Sequence, residues 1–415
     1  MIKNRKFFTD IILNIIAGAM PMAMLQLIIY PKIAKVAGGD EYGLMLTIYS
    51  VWIMVSNSLG NVLNNIKLLK YPQYRKNGYA GDMPVILRNW TALNTLIVFA
   101  AVWAYCGEFS VSHVVLGILI AGAILLRAYL EVGFRIKLDY VAVIIDNGLL
   151  SIGFLLGFYI FRLTGVWEFV FLFGYCISCA FCAVKTDLLK EPMRKTPMYK
   201  GVIRDSYSLV TANVIDNVIN YADKLLLYPL MGGTAVSIYY TATILGKIAS
   251  MLTGPINSVV LSYITKWDKA RTHIFSKVLI AGTAVAGLGY AATLILARPV
   301  LGMLFPQWID RVMDIIAITT VAVMLSVMAS ILQPFVLKFC DVRWQILISS
   351  VSSSSYFCSA LLLWKFYGLT GFCAGTVVGA SIKILIMIIV YYTQSKKYPI
   401  RVWKERVSKK GEGEQ

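Results

Sequence analysis

Three lysines in this 415-residue chain fall where a charge is hardest to keep. Lys224, Lys247 and Lys383 lie inside stretches apolar enough to cross a bilayer, and an ammonium there costs ~2.5–3.5 kcal/mol on insertion scales. Lys247 sits ~16 Å into its helix at 1.5 Å per residue, too deep to reach an interface. For Lys224 and Lys383, snorkelling is the plain alternative. Intramembrane cations without a local carboxylate suit an anionic ligand, which they would hold as point charges. Amides accompany them. Asn213, Asp216, Asn217, Asn220, Asp223 and Lys224 recur at three- and four-residue intervals and cover an arc of roughly 120° on a helix. Asn57, Asn61, Asn64 and Asn65 cover roughly 100° on another, extended by Thr47 and Ser50. Hydrogen-bonded glue between helices is the modest reading, at ~0.6 kcal/mol per contact. Four asparagines on one helix and a charged stripe on another exceed that need and mark a water-filled cavity. Asp216 and Asp223 are the carboxylates on the stripe that could couple an ion. Arg127 and Glu131, four residues apart, read as a structural pair.

The elements that must position these residues follow from composition. The chain is 58% hydrophobic and 14% charged, against ~45–50% and ~25% in a soluble domain. That excess supplies roughly twelve spans of ~20 residues and leaves little for a soluble domain. Apolar stretches are predicted at 9–31, 41–66, 85–106, 112–131, 141–162 and 166–186, then at 206–231, 236–265, 275–297, 309–338, 344–364 and 368–394. With both ends cytoplasmic, 30 of the 39 Lys and Arg fall in inner segments and 6 in outer ones. The net charge of +18 therefore belongs to the cytoplasmic membrane surface and not to a nucleic-acid partner. The expected fold is all-α: twelve transmembrane helices in two six-helix pseudo-symmetric halves around a central cavity. The halves are 1–190 and 206–394, joined by a cytoplasmic linker at 191–205 and followed by a basic cytoplasmic tail, 395–415.

An internal repeat supports the division. Tyr30-Pro31, Gly38-Gly39 and Thr47 are matched by Tyr228-Pro229, Gly232-Gly233 and Thr241. The glycines and threonines share an offset of 194, with the Tyr-Pro pairs one turn out of step. Duplicated halves rocking about a midplane site give alternating access. Pro21, Pro255 and Pro334 offer bending points.

Other chemistries lack their residues. Cys176, Cys179 and Cys182 lie within an apolar helix without a fourth ligand, so they read as small packing residues, and the chain has only two histidines, His113 and His273. No phosphate-binding G-x-x-x-x-G-K-[ST] sequence occurs, and no outer loop is long enough to hold paired catalytic carboxylates. A transporter without metal or other cofactor is expected, rather than an enzyme. The basic start Lys3–Lys6 and its apolar run read as an uncleaved first helix, since the run exceeds a signal peptide's.

The run Tyr221-Ala222-Asp223-Lys224-Leu225-Leu226-Leu227, then Gly232-Gly233, Tyr239-Tyr240-Thr241-Ala242 and Lys247-Ile248-Ala249, resembles the seventh-to-eighth-helix signature of bacterial polysaccharide flippases. These are the O-antigen repeat-unit translocases (Wzx type) of the superfamily that also holds multidrug and toxin extruders. Gly39-Asp40-Glu41-Tyr42-Gly43-Leu44 is similar to the matching segment of the first half. The resemblance implies a bacterial inner-membrane flippase. The chain is too short for the fourteen helices typical of the lipid II branch, whose basic first helix it also lacks. The resemblance further implies a cavity lined by helices one, two, seven and eight, with Lys247, Lys224 and Lys383 receiving an undecaprenyl-pyrophosphate-linked glycan. The bilayer, a polysaccharide polymerase and a chain-length regulator are the implied partners of a monomeric carrier for O-antigen or capsule. A cation-coupled multidrug extruder of the same fold is the alternative.

Overall fold

A computed structural model of the chain describes residues 13, 15–106, 111–250, 272–340 and 342–394, apart from the side chains at 208, 212, 214–216, 218–220, 249, 272 and 342. No strand occurs among the described residues. Helices follow one another as α1 (Ile15–Asn77), α2 (Asp82–Cys106), α3 (Val111–Leu130), the short α4 (Val132–Lys137), α5 (Tyr140–Thr164), α6 (Glu168–Lys185), α7 (Tyr199–Ser250), α8 (Thr272–Leu304), α9 (Ile309–Phe339) and α10 (Val342–Gln394). Among the described residues, eight helical runs are long and apolar enough to span a bilayer, where only internally bonded backbone survives.

Three of the helices are longer than one span and bend at a glycine. α1 bends at Gly38 (φ 83°, ψ 178°), α7 at Gly232 (φ 77°, ψ 179°) and α10 at Gly368 (φ 56°, ψ −135°). The first two adopt a conformation that is essentially closed to residues with a Cβ. Where the sequence predicts separate helices with a loop between them, the connection has shrunk to one residue. The repeat offset of 194 thus reappears as an identical backbone bend. α1 also runs eleven residues beyond its predicted end, past Pro72, with Arg75 and Lys76 in its last turn and Gly78 as a left-handed cap. Two π-helical turns interrupt it, Met24–Ile29 just after Pro21 and Ile53–Asn57.

The chain divides into two compact units, Met1–Ser237 and Ile238–Gln415. Within the first, the bends of α1 and α7 pack backbone to backbone: a Cβ on Gly43 would lie 1.9 Å from the Gly233 carbonyl oxygen, and one on Gly233 would lie 2.1 Å from that of Asp40. Asp40 Oδ1 accepts bonds of 2.8 Å from both the amide and the hydroxyl of Thr234, its counterpart at the 194-residue offset. Contact thus joins positions that correspond in the sequence repeat.

Elsewhere in this unit, α5 packs on α6 through Gly153, Gly157 and Gly174, where small residues let backbones approach, as helix association in lipid requires. Trp52, Trp167, Phe171 and Phe154 close one end. A cluster around Leu63, Trp90, Leu125, Tyr129 and Phe134 fills the other. In the second unit α8, α9 and α10 pack around Phe275, Phe335 and Tyr391, with the Phe275 and Tyr391 rings stacked at 3.8 Å.

Candidate functional site

The polar stripe of α7 begins with Asn213, whose amide bonds the Leu209 carbonyl at 2.9 Å on its own helix. One turn on, Asn217 donates to Ser58 Oγ at 2.8 Å. Ser58 follows Asn57, so this bond brings the α7 stripe against the α1 stripe. The side chains of Asp216 and Asn220 lie outside the described residues. Asp223 caps the stripe by accepting from the Lys224 amide at 2.9 Å.

Lys224 is buried, and its ammonium lies 5.1 Å from the centre of the Tyr221 ring. Lys247, half-buried in the second unit, stands 5.2 Å from the ring centre of Tyr240. Each cation is thus held against an aromatic face, worth ~0.5–2 kcal/mol according to desolvation. Lys383 is half-buried on α10 and also has partners within the protein.

Along α1 the asparagines divide by side. Asn57 is half-buried at the end of a π turn, a distortion often found at functional positions, and Asn61 and Asn65 are exposed. Asn64, at the edge of the arc, is fully buried; it donates to the Ala128 carbonyl at 2.9 Å and accepts from Arg135 at 3.4 Å. Its amide is committed to packing α1 on α3 and α4, which leaves Asn57, Asn61 and Asn65 as the open face.

A second polar group joins α3, α5 and α6. Arg127 bonds Asp146 Oδ2 at 2.6 Å, Ser178 Oγ at 2.6 Å, Asn147 Oδ1 at 3.2 Å and Glu131 Oε1 at 2.8 Å. Asp146 and Ser178 are fully buried, and Ser178 and Cys182 both donate to Asp146 Oδ1. Sequence reading found the Arg127–Glu131 pair and missed Asp146. The available signal was an acidic residue inside an apolar stretch, which needs a cation at matching depth on a neighbouring helix. Cys179 donates separately to the Ala123 carbonyl at 3.0 Å, and no cluster of metal-binding side chains occurs among the described residues.

No protein-family model and no curated protein matches the sequence. Solved structures do. The lipid II flippase MurJ in an inward closed conformation aligns with a TM-score of 0.66 at 13% identity, over 95% of this chain and 89% of that one. An inward-facing multidrug resistance MATE family transporter of the MOP superfamily aligns at 0.63 and 14% identity, over 93% and 98%. The Vibrio cholerae MATE transporter VcmN, in its bent form, aligns at 0.57 and 13%, over 95% and 98%. The chain therefore has the multi-pass membrane fold of these transporters over nearly its whole length.

Proposed function

We propose that this protein is a flippase that moves an undecaprenyl-pyrophosphate-linked oligosaccharide repeat unit from the inner to the outer leaflet of the bacterial inner membrane. The observation that carries the reading is the chemistry of the stripes. Within the first unit Lys224, set against the Tyr221 ring, accompanies amides on α7 and α1 that the Asn217–Ser58 bond draws together, and in the second Lys247 stands against the Tyr240 ring. Cations for a pyrophosphate and amides for sugar hydroxyls are what such a cargo needs, and the likeness to a lipid II flippase supports it.

Counting α1, α7 and α10 as two crossings each, on either side of Gly38, Gly232 and Gly368, and α2, α3, α5, α6, α8 and α9 as one each supports a total of twelve. Both termini and the 191–205 linker lie in the cytoplasm, and the halves 1–190 and 206–394 alternate access around the cavity. The glycan passes among Asn57, Asn61, Asn213, Asn217 and Asn220, while Lys383 assists the two other lysines. The lipid tail stays in the bilayer. Moving two negative charges outward across ~100 mV, negative inside, is favourable by about 5 kcal/mol. Asp216 or Asp223 couples an ion if the mobile lysines cancel that charge.

Replacing Lys247 with Ala should abolish surface polysaccharide while the protein stays at its normal level in the membrane. Normal polysaccharide in that strain overturns the phosphate-site reading. A second reading, a cation-coupled multidrug extruder, is favoured by one observation: the buried carboxylate of Asp146 and the half-buried one of Glu131 share a single guanidinium, a group that a transported cation could displace. It requires drug sensitivity, with normal polysaccharide, when the gene is removed.

A further inference from the structure

At the end of the first unit that the charge pattern assigns to the outside, an ion pair joins α3 to α6: His113 Nδ1 bonds Glu168 Oε1. Its surroundings decide how the pair is charged. The Glu168 side chain is fully buried, whereas that of His113 is 32% exposed. The second carboxylate oxygen, Oε2, is shut off from solvent and has no hydrogen-bond partner, so among the described residues the charge of Glu168 is answered by His113 alone. Glu168 also lies in the first turn of α6, where the helix dipole favours the ionised carboxylate. Neutralising one member of a buried pair leaves the other charge uncompensated, so the carboxylate calls for an imidazolium. Trp167, itself buried, lies almost parallel to the imidazole, with ring centres 6.2 Å apart and 22° between the planes. It covers one face of the ring, and protons come and go at the exposed side.

The neighbouring helices add negative charge and no positive charge to this pair. α3 packs here on α1, α2 and α6. From α1, the Glu41 carboxylate acts electrostatically on both His113 and Glu168; from α2, the Cys106 thiol faces Glu168. An imidazolium therefore offsets two carboxylates at once. Glu41 directly follows Asp40, whose carboxylate holds Thr234 where α1 crosses α7, so charge at His113 bears on the bend.

We infer that His113 and Glu168 form a proton-binding site that latches α3 to α6, and both to the α1 bend, at the outer end of the first unit. One proton from solvent converts the imidazole to an imidazolium that donates through Nδ1–H to Glu168. When that proton returns to solvent, Glu168 and Glu41 repel one another with no cation between them, and the latch weakens. A proton held more tightly by the folded than by the unfolded chain stabilises at low pH and stops doing so as pH rises, so the latch loosens on the alkaline side. The site does not depend on the proposed cargo, since it stands apart from the lysine and asparagine stripes and uses neither Asp216 nor Asp223.

The chain has only two histidines, which makes the proton directly visible. The full chain, purified in detergent through a histidine-free tag and labelled with nitrogen-15 at histidine, gives two imidazole signals by NMR, and His113→Gln or His273→Gln assigns them. His113 is expected to be charged at about pH 7, where a free imidazole is mostly neutral. Glu168→Gln should move its midpoint down by about one to three pH units, and Glu41→Gln by less. Amide hydrogen exchange at the starts of α3 and α6, corrected for its intrinsic pH dependence, should accelerate as the parent passes its midpoint and should show no such step in His113→Gln. A neutral His113 at about pH 7, a midpoint that Glu168→Gln leaves in place, or exchange that ignores the titration overturns the inference. If Glu168→Gln does not fold, the titration of the parent and of Glu41→Gln decides it.

Discussion

Arg127→Met tests the polar group between α3, α5 and α6 most severely. The substitution keeps a long apolar side chain and removes the guanidinium that Asp146, Ser178, Asn147 and Glu131 share. Asp146 is fully buried, so its carboxylate would lose its only ion-pair partner among the described residues. Breaking a buried pair from one side costs about 3–5 kcal/mol, because the remaining charge stays desolvated. At about 2–4 °C per kcal/mol for a unit of this length, unfolding should move down by roughly 10 °C. Asp146→Asn alone frees the Arg127 charge, but Glu131 still neutralises it, so the loss should be smaller. The double variant Arg127→Met, Asp146→Asn should recover part of the loss, since an amide can keep the bonds from Ser178 and Cys182 without a charge. Purified variants in one detergent, unfolded thermally and by denaturant, give the four corners of the cycle. An Arg127→Met protein within about 1 kcal/mol of the parent would falsify the assignment of Arg127 as the charge that keeps Asp146 in the membrane.

Other perturbations address the bends and the stripe. Gly38→Ala and Gly232→Ala should each cost ~1–3 kcal/mol in unfolding experiments, and alike, because both backbones occupy the same glycine region; unequal losses beyond that range argue against equivalent bends. Gly43→Ala should cost more than either, since its new methyl meets the Gly233 carbonyl oxygen rather than open space, and an unchanged melting temperature would refute the close crossing. Asn217→Ala and Ser58→Ala should show a coupling of only ~0.6 kcal/mol in stability while lowering transport together; independent effects on transport would separate the two stripes. Lys70 holds the Asp205 carboxyl below its usual range at the start of α7. A depressed carboxylate stabilises above its unfolded value and stops doing so as pH falls through the folded one. Asp205→Asn should therefore flatten the acid limb of a pH–stability curve below about pH 4, and an unaltered limb would dismiss the pair.

Much of the architecture was legible in the residues because its causes are local. Hydrocarbon demands internally bonded backbone, so apolar stretches of span length became helices almost without exception among the described residues. Gly38 and Gly232 could be matched from their offset alone, and the structure gives them one conformation. Helix ends were less legible: α1 continues to Asn77 because a cap and basic last turn lie beyond the apolar stretch that set the predicted limit. Periodicity also put Asn57, Asn61, Asn64 and Asn65 on one arc, but only packing shows that Asn64 turns to Ala128 and Arg135 while Asn61 and Asn65 stay open.

By itself, then, the sequence determined the membrane class, the duplicated glycine pairs and the helix faces that carry amide and charge, since each depends on residues within a few turns of one another. Tertiary structure alone decided which of those groups meet. Asp146 finds Arg127 nineteen residues away, Asp82 finds Thr196 across 114, and Asp40 finds Thr234 across 194. Hydrogen bonds and ion pairs act over a few ångströms, and any acceptor in the chain could have served any of these donors. Which one arrives is set by how whole helices pack, and no local pattern records that.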